Sequence, residues 1–364
     1  MLPVSATIKS MMIPISTRRL LFVLTLGAFS LPLRAQEYRI IYEVQSQYQF
    51  ITVLDTANGY RQLIFDGRFD GTDAIQSEMN LSDPDGLTLS YTRHIMTALP
   101  VAKNLKRILI VGLGGACMQR FLYKLLPDAI IETAELDPEI RKVAAEYFFF
   151  KEDDRQIVHM GDGRKFIEDS NRRYDIIFLD AFSATSIPSR LTTQEFFKAV
   201  KDHLAEGGVA CANLWEREAD YPCIVKTYST VFPELHIVHC AFSLNCILLA
   251  LPDKMGLTVQ TWMDKAKAFE KMHPTGLNLP QLIDRGAAEK TQIPDHARVL
   301  FDKDKHLAVS NLLGKFQYRL KARYVKKSMA ADIEGDHLLL AGFLSLKTHQ
   351  QQFIHILYDR PPIL

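Results

Sequence analysis

Four short segments carry the residues of this chain best suited to chemistry. Gly112-Leu-Gly114-Gly115 breaks the apolar run Arg107-Ile-Leu-Ile-Val111, and Glu135-Leu-Asp137 closes the segment that begins Ile130-Ile-Glu-Thr-Ala134. Gly161-Asp162-Gly163 follows Met160, and Asp180 closes Ile176-Ile-Phe-Leu179. Gly112 and Gly114 let a backbone turn sharply and approach a ligand with no Cβ in the way. A helix starting near Ala116 then aims free N–H groups at that ligand. A carboxylate about 20 residues beyond such a turn stands where βαβ units bind a ribose. Glu135 is the better ribose acceptor, while Asp137, just before Pro138, is expected mainly to cap the next helix. Asp162 has two readings: acceptor for an exocyclic adenine amine, with the Gly163 side of the turn reading a ring nitrogen, or a turn and cap residue only. Asp180 should sit at the mouth of a dry crevice, as a general base or an orienting acceptor for an amine. Burial there would raise its pKa towards a useful range.

The intervening residues supply the scaffold. Strands are expected near 107–111, 130–136, 157–160, 175–180, 207–214, 235–240 and 245–251, with helices over 116–126, 138–148, 192–204 and 219–231. Strands alternating with helices imply a parallel sheet, and the short turn Phe242-Ser-Leu-Asn245 implies one antiparallel strand at an edge. The expected fold is α/β with a seven-stranded, mostly parallel sheet, an arrangement that resembles the Rossmann-like class I methyltransferase fold. It places Gly112, Glu135, Asp162 and Asp180 at one carboxyl edge, where open α/β sheets bind ligands. The pattern Gly112-x-Gly114-x-x-Cys117 lacks the third glycine of the dinucleotide fingerprint, which lowers that alternative.

Before the sheet, Tyr38 to Leu54 alternates apolar and polar residues, Asn58-Gly59 marks a turn, and 61–65 returns, so a small antiparallel β unit is expected. Leu87, Tyr91, Ile95 and Leu99 have helical spacing and stop at Pro100. Beyond Pro252, Leu257 to Met272 reads as an amphipathic helix. A Pro/Gly-punctuated connector runs to Pro294, residues 295–327 look helical, and 336–358 reads as a helix or a strand pair. The expected division is 1–35 leader, 36–100 β unit and linking helix, 101–252 ligand-binding domain, and 253–364 helical extension of unknown role.

Composition excludes several classes. The 364 residues are 48% apolar and 23% charged with net charge +1, which gives a globular core and no call for nucleic acid. The basic run 315–327 reads first as a solvated helix face. Five cysteines show no CxxC pair and no metal spacing, so no metal is expected. Cys211, Cys240 and Cys246 read as buried hydrophobes, and Cys117 as packing or as a helix-start thiol of lowered pKa. Arg18-Arg19, the apolar run Leu20 to Leu33 and Arg34-Ala35-Gln36 match an export signal cleaved after Ala35, and Ser16 to Leu21 resembles a twin-arginine signal. The alternatives are a membrane anchor at 18–35 or an unused upstream start. The protein is accordingly expected to be periplasmic or membrane-anchored, with the cytoplasm as the alternative.

The stretch from Tyr48 to Leu251 resembles the spermidine synthase (polyamine aminopropyltransferase) family, in a divergent branch. Ser46-Gln-Tyr48-Gln49 looks like its S-x-Y-Q signature and Leu63-Ile-Phe-Asp66-Gly67 like its L-x-L-D-G strand. Val111 to Cys117 stands at its glycine loop, Glu135-Leu-Asp137 at E-[IV]-D, Gly161-Asp162-Gly163 at G-D-[AG], and Asp180 at the first Asp of D-S-x-D-P. The resemblance implies ribose binding by Glu135, adenine recognition at Asp162 and Gly163, a donor's aliphatic arm held by Gln49, and Asp180 as the base that activates an amine. It implies decarboxylated S-adenosylmethionine or S-adenosylmethionine as co-substrate and a small-molecule amine or other small acceptor as partner; whether the chain forms a homodimer is left open by the sequence. Two family carboxylates are absent: Gly115 replaces the loop Asp and Ser183 the second Asp of the turn. Arg93 stands where an acid would hold an amine, and could pair with a carboxylate instead. Aminopropyl transfer is the first expectation, with methyl transfer and a non-catalytic exported binding protein as alternatives.

Overall fold

The computed structural model describes residues 38–66, 75–182, 186–241, 243–288, 293, 295 and 297–304. Tyr38–Gln45 (β1), Phe50–Thr56 (β2), Tyr60–Phe65 (β3) and Ile75–Asn80 (β4) form a four-stranded antiparallel sheet in that order. Ile51, Val53, Leu63 and Met79 are fully buried and join this sheet to the main core. β4 has no counterpart in the expected elements. Its sequence, Ile-Gln-Ser-Glu-Met-Asn, is mostly polar, and its inward residues are Ser77 and Met79.

The helical spacing over 87–99 yields only Ser90–His94 (α1) and a 3₁₀ turn at Ile95–Ala98. The main sheet then follows. Arg107–Val111 (β5), Ile130–Glu135 (β6), Gln156–Met160 (β7), Tyr174–Leu179 (β8) and Leu204–Trp215 (β9) are parallel. Glu234–His239 (β10) and Asn245–Leu251 (β11) complete the order β10-β11-β9-β8-β5-β6-β7, with β11 antiparallel to both neighbours. β8 is buried along its whole length, as expected where helices cover both faces of a parallel sheet.

Helices Cys117–Leu125 (α2), Pro138–Tyr147 (α3), Gly163–Asp169 (α4), Gln194–Asp202 (α5) and Tyr221–Ser229 (α6) connect the strands. The short helix α4 was not expected; Ile167 is its one fully buried side chain, so it carries almost no apolar period. Val259–Met272 (α7) begins with a capping box at Thr258 and Thr261. Buried Trp262 on α7 donates its Nε1–H to the Thr97 carbonyl at 2.8 Å. The expected connector contains a further helix, Leu279–Gly286 (α8), with Pro280 in its first turn.

The helix expected over 295–327 is corrected in part: residues 297–304 are not helical. They run across α5 and α6, where the Leu300 N–H donates to Thr227 Oγ1 at 2.9 Å and its carbonyl accepts from the Gln194 N–H at 2.8 Å. The leader, Gly67, Ser183, Phe242, the basic run and the 336–358 stretch lie outside the described residues. Among the described residues, no helix is long and apolar enough to cross a membrane.

Candidate active site

The end of β5 turns at Gly112, whose φ is +106°. A Cβ there would lie 2.6 Å from the Asp180 carbonyl oxygen, so only glycine lets the β5 and β8 ends close on each other. The Asp180 N–H donates to the Val111 carbonyl at 3.0 Å. Gly114 also has positive φ, +53°.

Glu135 holds this loop from below. One carboxylate oxygen accepts the Leu113 N–H at 2.9 Å and the other the Asp137 N–H at 2.7 Å. Burial pushes the Glu135 carboxyl up, and these backbone donors oppose it. Each oxygen keeps lone-pair capacity for a ribose hydroxyl. Asp137 caps α3 through the Glu139 N–H at 3.0 Å and accepts the Ser46 hydroxyl at 2.5 Å. Ser46 Oγ accepts the Gln49 N–H at 3.0 Å. Asp137 thus fixes the turn that carries half-buried Gln49 rather than offering a free carboxylate.

On the other side of Glu135, Asp162 caps α4 by accepting the Lys165 N–H at 3.0 Å. Its second oxygen pairs with the Arg190 guanidinium at 2.6 Å. Gly163 is the first residue of α4. Leu136 and Met160, at the ends of the paired strands β6 and β7, are 44% and 40% exposed. Large apolar side chains left open at a ligand edge suit a flat aromatic ring.

Asp180 follows β8, with only its edge in solvent. It accepts from Asn213 Nδ2 at 2.9 Å, and the Tyr91 hydroxyl also faces it. Burial outweighs both donors and raises Asp180 to about 7. A carboxylate of that pKa can take a proton near neutrality. Glu218 is likewise raised to about 7 by burial and lies 3.5 Å from the Ile187 N–H.

The glycine loop explains the missing acid. The Gly115 N–H donates to Ser77 Oγ at 2.8 Å. A Cβ at Gly115 would lie 2.8 Å from Phe148 Cδ1 and 2.9 Å from Ser77 Cβ. No carboxylate fits there. The lowered thiol pKa considered for Cys117 is corrected as well: burial pushes that thiol up, and Sγ lies 3.4 Å from the Glu78 carbonyl. Arg93 Nε is buried without a hydrogen-bond partner.

Glu135, Asp162 and Asp180 therefore gather with Gly112 and Gly114 at one sheet edge, Gln49 being held beside them through Asp137. Asn213, Ser77, Leu136, Met160 and Arg190 escaped the sequence reading. Asn213 had a signal: it is the single polar side chain in the apolar run Val209 to Leu214. Arg190 had none, because its partner is set by the fold.

A model of the spermine/spermidine synthase domain matches residues 89–244. A polyamine aminopropyltransferase of Chromobacterium violaceum is 35% identical over 229 residues, covering 62% of this chain and 87% of that protein. An eEF1A lysine and N-terminal methyltransferase of Bos taurus is 29% identical over 199 residues, covering 51% of this chain and 28% of that protein. The crystal structure of a probable spermidine synthase from Corynebacterium glutamicum aligns with TM-score 0.54 and 19% identity, over 70% of this chain and all of that one. The shared fold is the Rossmann-like methyltransferase fold with an added antiparallel sheet, and the chain belongs to the spermine/spermidine synthase family of transferases.

Proposed function

We propose that the protein transfers an aminopropyl group from decarboxylated S-adenosylmethionine to an amine, with Asp180 as the base. The observation that carries this reading is a buried carboxyl of pKa about 7 on the same edge as Glu135 and Asp162. An amine in water is protonated at neutral pH and cannot attack. Asp180 removes its proton as nitrogen displaces the thioether: the C–N bond forms, the C–S bond breaks, and the sulfonium becomes neutral methylthioadenosine. Glu135 receives the ribose hydroxyls, and Asp162, with the walls Leu136 and Met160, receives the adenine. The C. violaceum relative supports the reaction class.

Methyl transfer from S-adenosylmethionine is the second reading, favoured by two observations. The position of the loop acid is sealed by Phe148 and Ser77, so the site lacks that partner for a cationic donor tail. Arg93 has an unpaired buried Nε, a group suited to a carboxylate. Calorimetric titration of the full-length chain with both donors separates the readings. Tighter binding of the decarboxylated donor supports aminopropyl chemistry; preference for the intact donor supports methyl transfer; binding of neither removes both.

A further inference from the structure

We propose that Asn245 and Ser243 are positioning residues for Asp180, joined to it through Asn213 in a hydrogen-bonded chain of fixed polarity. The proposal rests on the reading of Asp180 as the base and extends it to two residues of the β10–β11 turn and its margin.

The chain starts at a group that cannot turn round. The Asn245 backbone N–H donates to Ser243 Oγ at 3.2 Å, and the Ser243 hydroxyl donates to Asn245 Oδ1 at 2.6 Å. Asn245 Nδ2 then donates to Asn213 Oδ1 at 2.9 Å, and Asn213 Nδ2 donates to Asp180 Oδ1 at 2.9 Å. Strand order makes this route available. β11, β9 and β8 are neighbours, and the register sets Asn213 opposite Ile247, so Asn245 falls diagonally across from it on the same face.

A primary amide has a donor end and an acceptor end of nearly equal size, and its surroundings choose which way it points. Here the backbone N–H takes one of the two lone pairs of Ser243 Oγ, the serine proton is directed at the Asn245 carbonyl, and the Asn245 amino group faces Asn213. Reversing Asn213 would set two amino groups together and turn its oxygen to the Asp180 carboxylate. Asn213 is buried and an unmade hydrogen bond there is costly, so the arrangement favours a donor directed at Asp180.

The other groups facing Asp180 are the Tyr91 hydroxyl from α1 and the Cys211 thiol from β9, and burial pushes both far up, so both stay neutral. Cys117 and Cys240, also neutral and raised by burial, flank Tyr91. The Glu216–His239 pair lies further along this edge, beyond Cys240. The polarity of Asn213 is therefore one of the few electrostatic settings the site has for its base.

The test uses the full-length chain with 13C-labelled aspartate carboxyls, titrated by NMR, with Asp180→Asn identifying the resonance. Asn245→Ala should raise the Asp180 midpoint by about half a unit or more, because Asn213 can then turn its carbonyl to a protonated Asp180. Asn245→Asp should raise it further, and Ser243→Ala should give a smaller rise. An unmoved midpoint in Asn245→Ala overturns the proposal. So does a rise in Asn245→Asp alone, which would be charge repulsion without a relay. If Asn245→Ala does not fold, Asn245→Ser and Ser243→Ala decide in its place. The acid limb of the rate profile is read separately: a shifted midpoint with an unmoved limb keeps the relay and removes Asp180 as the base.

Discussion

Replacing Asp180 by Asn should make the protein more stable in alkali while lowering turnover by orders of magnitude. The reasoning starts from a carboxyl whose pKa is about 7 in the fold and 3.8 in the free side chain. The folded state holds that proton more tightly than the unfolded one, so the group's contribution is fully present below pH about 3.8 and is lost as pH rises through about 7. Each unit is worth about 1.4 kcal/mol, so the wild type should lose roughly 3 kcal/mol relative to the variant between pH 5 and pH 9. Asn keeps the size of the side chain and an oxygen for the Asn213 amide, so packing is conserved. Urea unfolding of both proteins across that range measures the difference. The same titration sets the acid limb: kcat/KM of the wild type should be half-maximal near pH 7, the value burial gives Asp180. Loss of a general base lowers the rate by about 10²- to 10⁴-fold. Parallel stability curves for the two proteins would refute the claim that Asp180 is desolvated, whatever happens to activity.

Other substitutions test the rest of the edge. Glu135→Gln should weaken adenosine-containing ligands by about 1–3 kcal/mol, read by calorimetry, since a ribose acceptor loses its charge; equal affinity would leave Glu135 as a loop staple only. Asp162→Ala should weaken the same ligands by a similar ~1–3 kcal/mol, and unchanged binding would reduce it to a helix cap. Gly115→Asp should not restore a family-like donor site: forced against Phe148 and Ser77, it should cost about 1–3 kcal/mol of stability with no gain for the decarboxylated donor. Arg190→Ala should tighten adenosine binding a few-fold by freeing Asp162, with little effect on the melting temperature, because half-exposed ion pairs contribute only about 0–1 kcal/mol. Weaker binding would mean that Arg190 touches the ligand.

The parallel sheet was legible because β5 and β8 each hold four consecutive apolar residues leading to Gly112 and Asp180, as burial on both faces demands, while β6 was marked by the Glu135 that ends it. β4 was not legible, since its inward Ser77 serves the Gly115 N–H rather than an apolar core. Helix α4 has one fully buried side chain and shows no period, and α8 was hidden by Pro280 within a stretch rich in Pro and Gly. At the site, Glu135, Asp162 and Asp180 could be found from their places at strand ends. Their engagements could not: nothing in the sequence ties Arg190 to Asp162, or Asn245 to Asp180, until the strand order brings them together. The sealed Gly115 position likewise depends on Phe148, which reaches it from the end of α3.

The segment 297–304 gives this protein an order of assembly. Arg164, beside Gly163 at the start of α4, forms two 2.7 Å contacts with Asp302, 138 residues away, and donates to the Arg190 carbonyl at 3.1 Å. The Asp302 N–H in turn donates to Glu195 on α5. Closing a loop of that length costs entropy that other contacts must offset, and Asp302 follows every strand of the sheet in the chain. A chain emerging from the ribosome can therefore close its parallel sheet, and with it the Glu135 staple and the Asp180 pocket, before the clasp on α4 exists. In the proposed reading, the clasp from Asp302 is then the last contact made beside the nucleoside seat, after the strand ends that carry Glu135, Asp162 and Asp180 are in place.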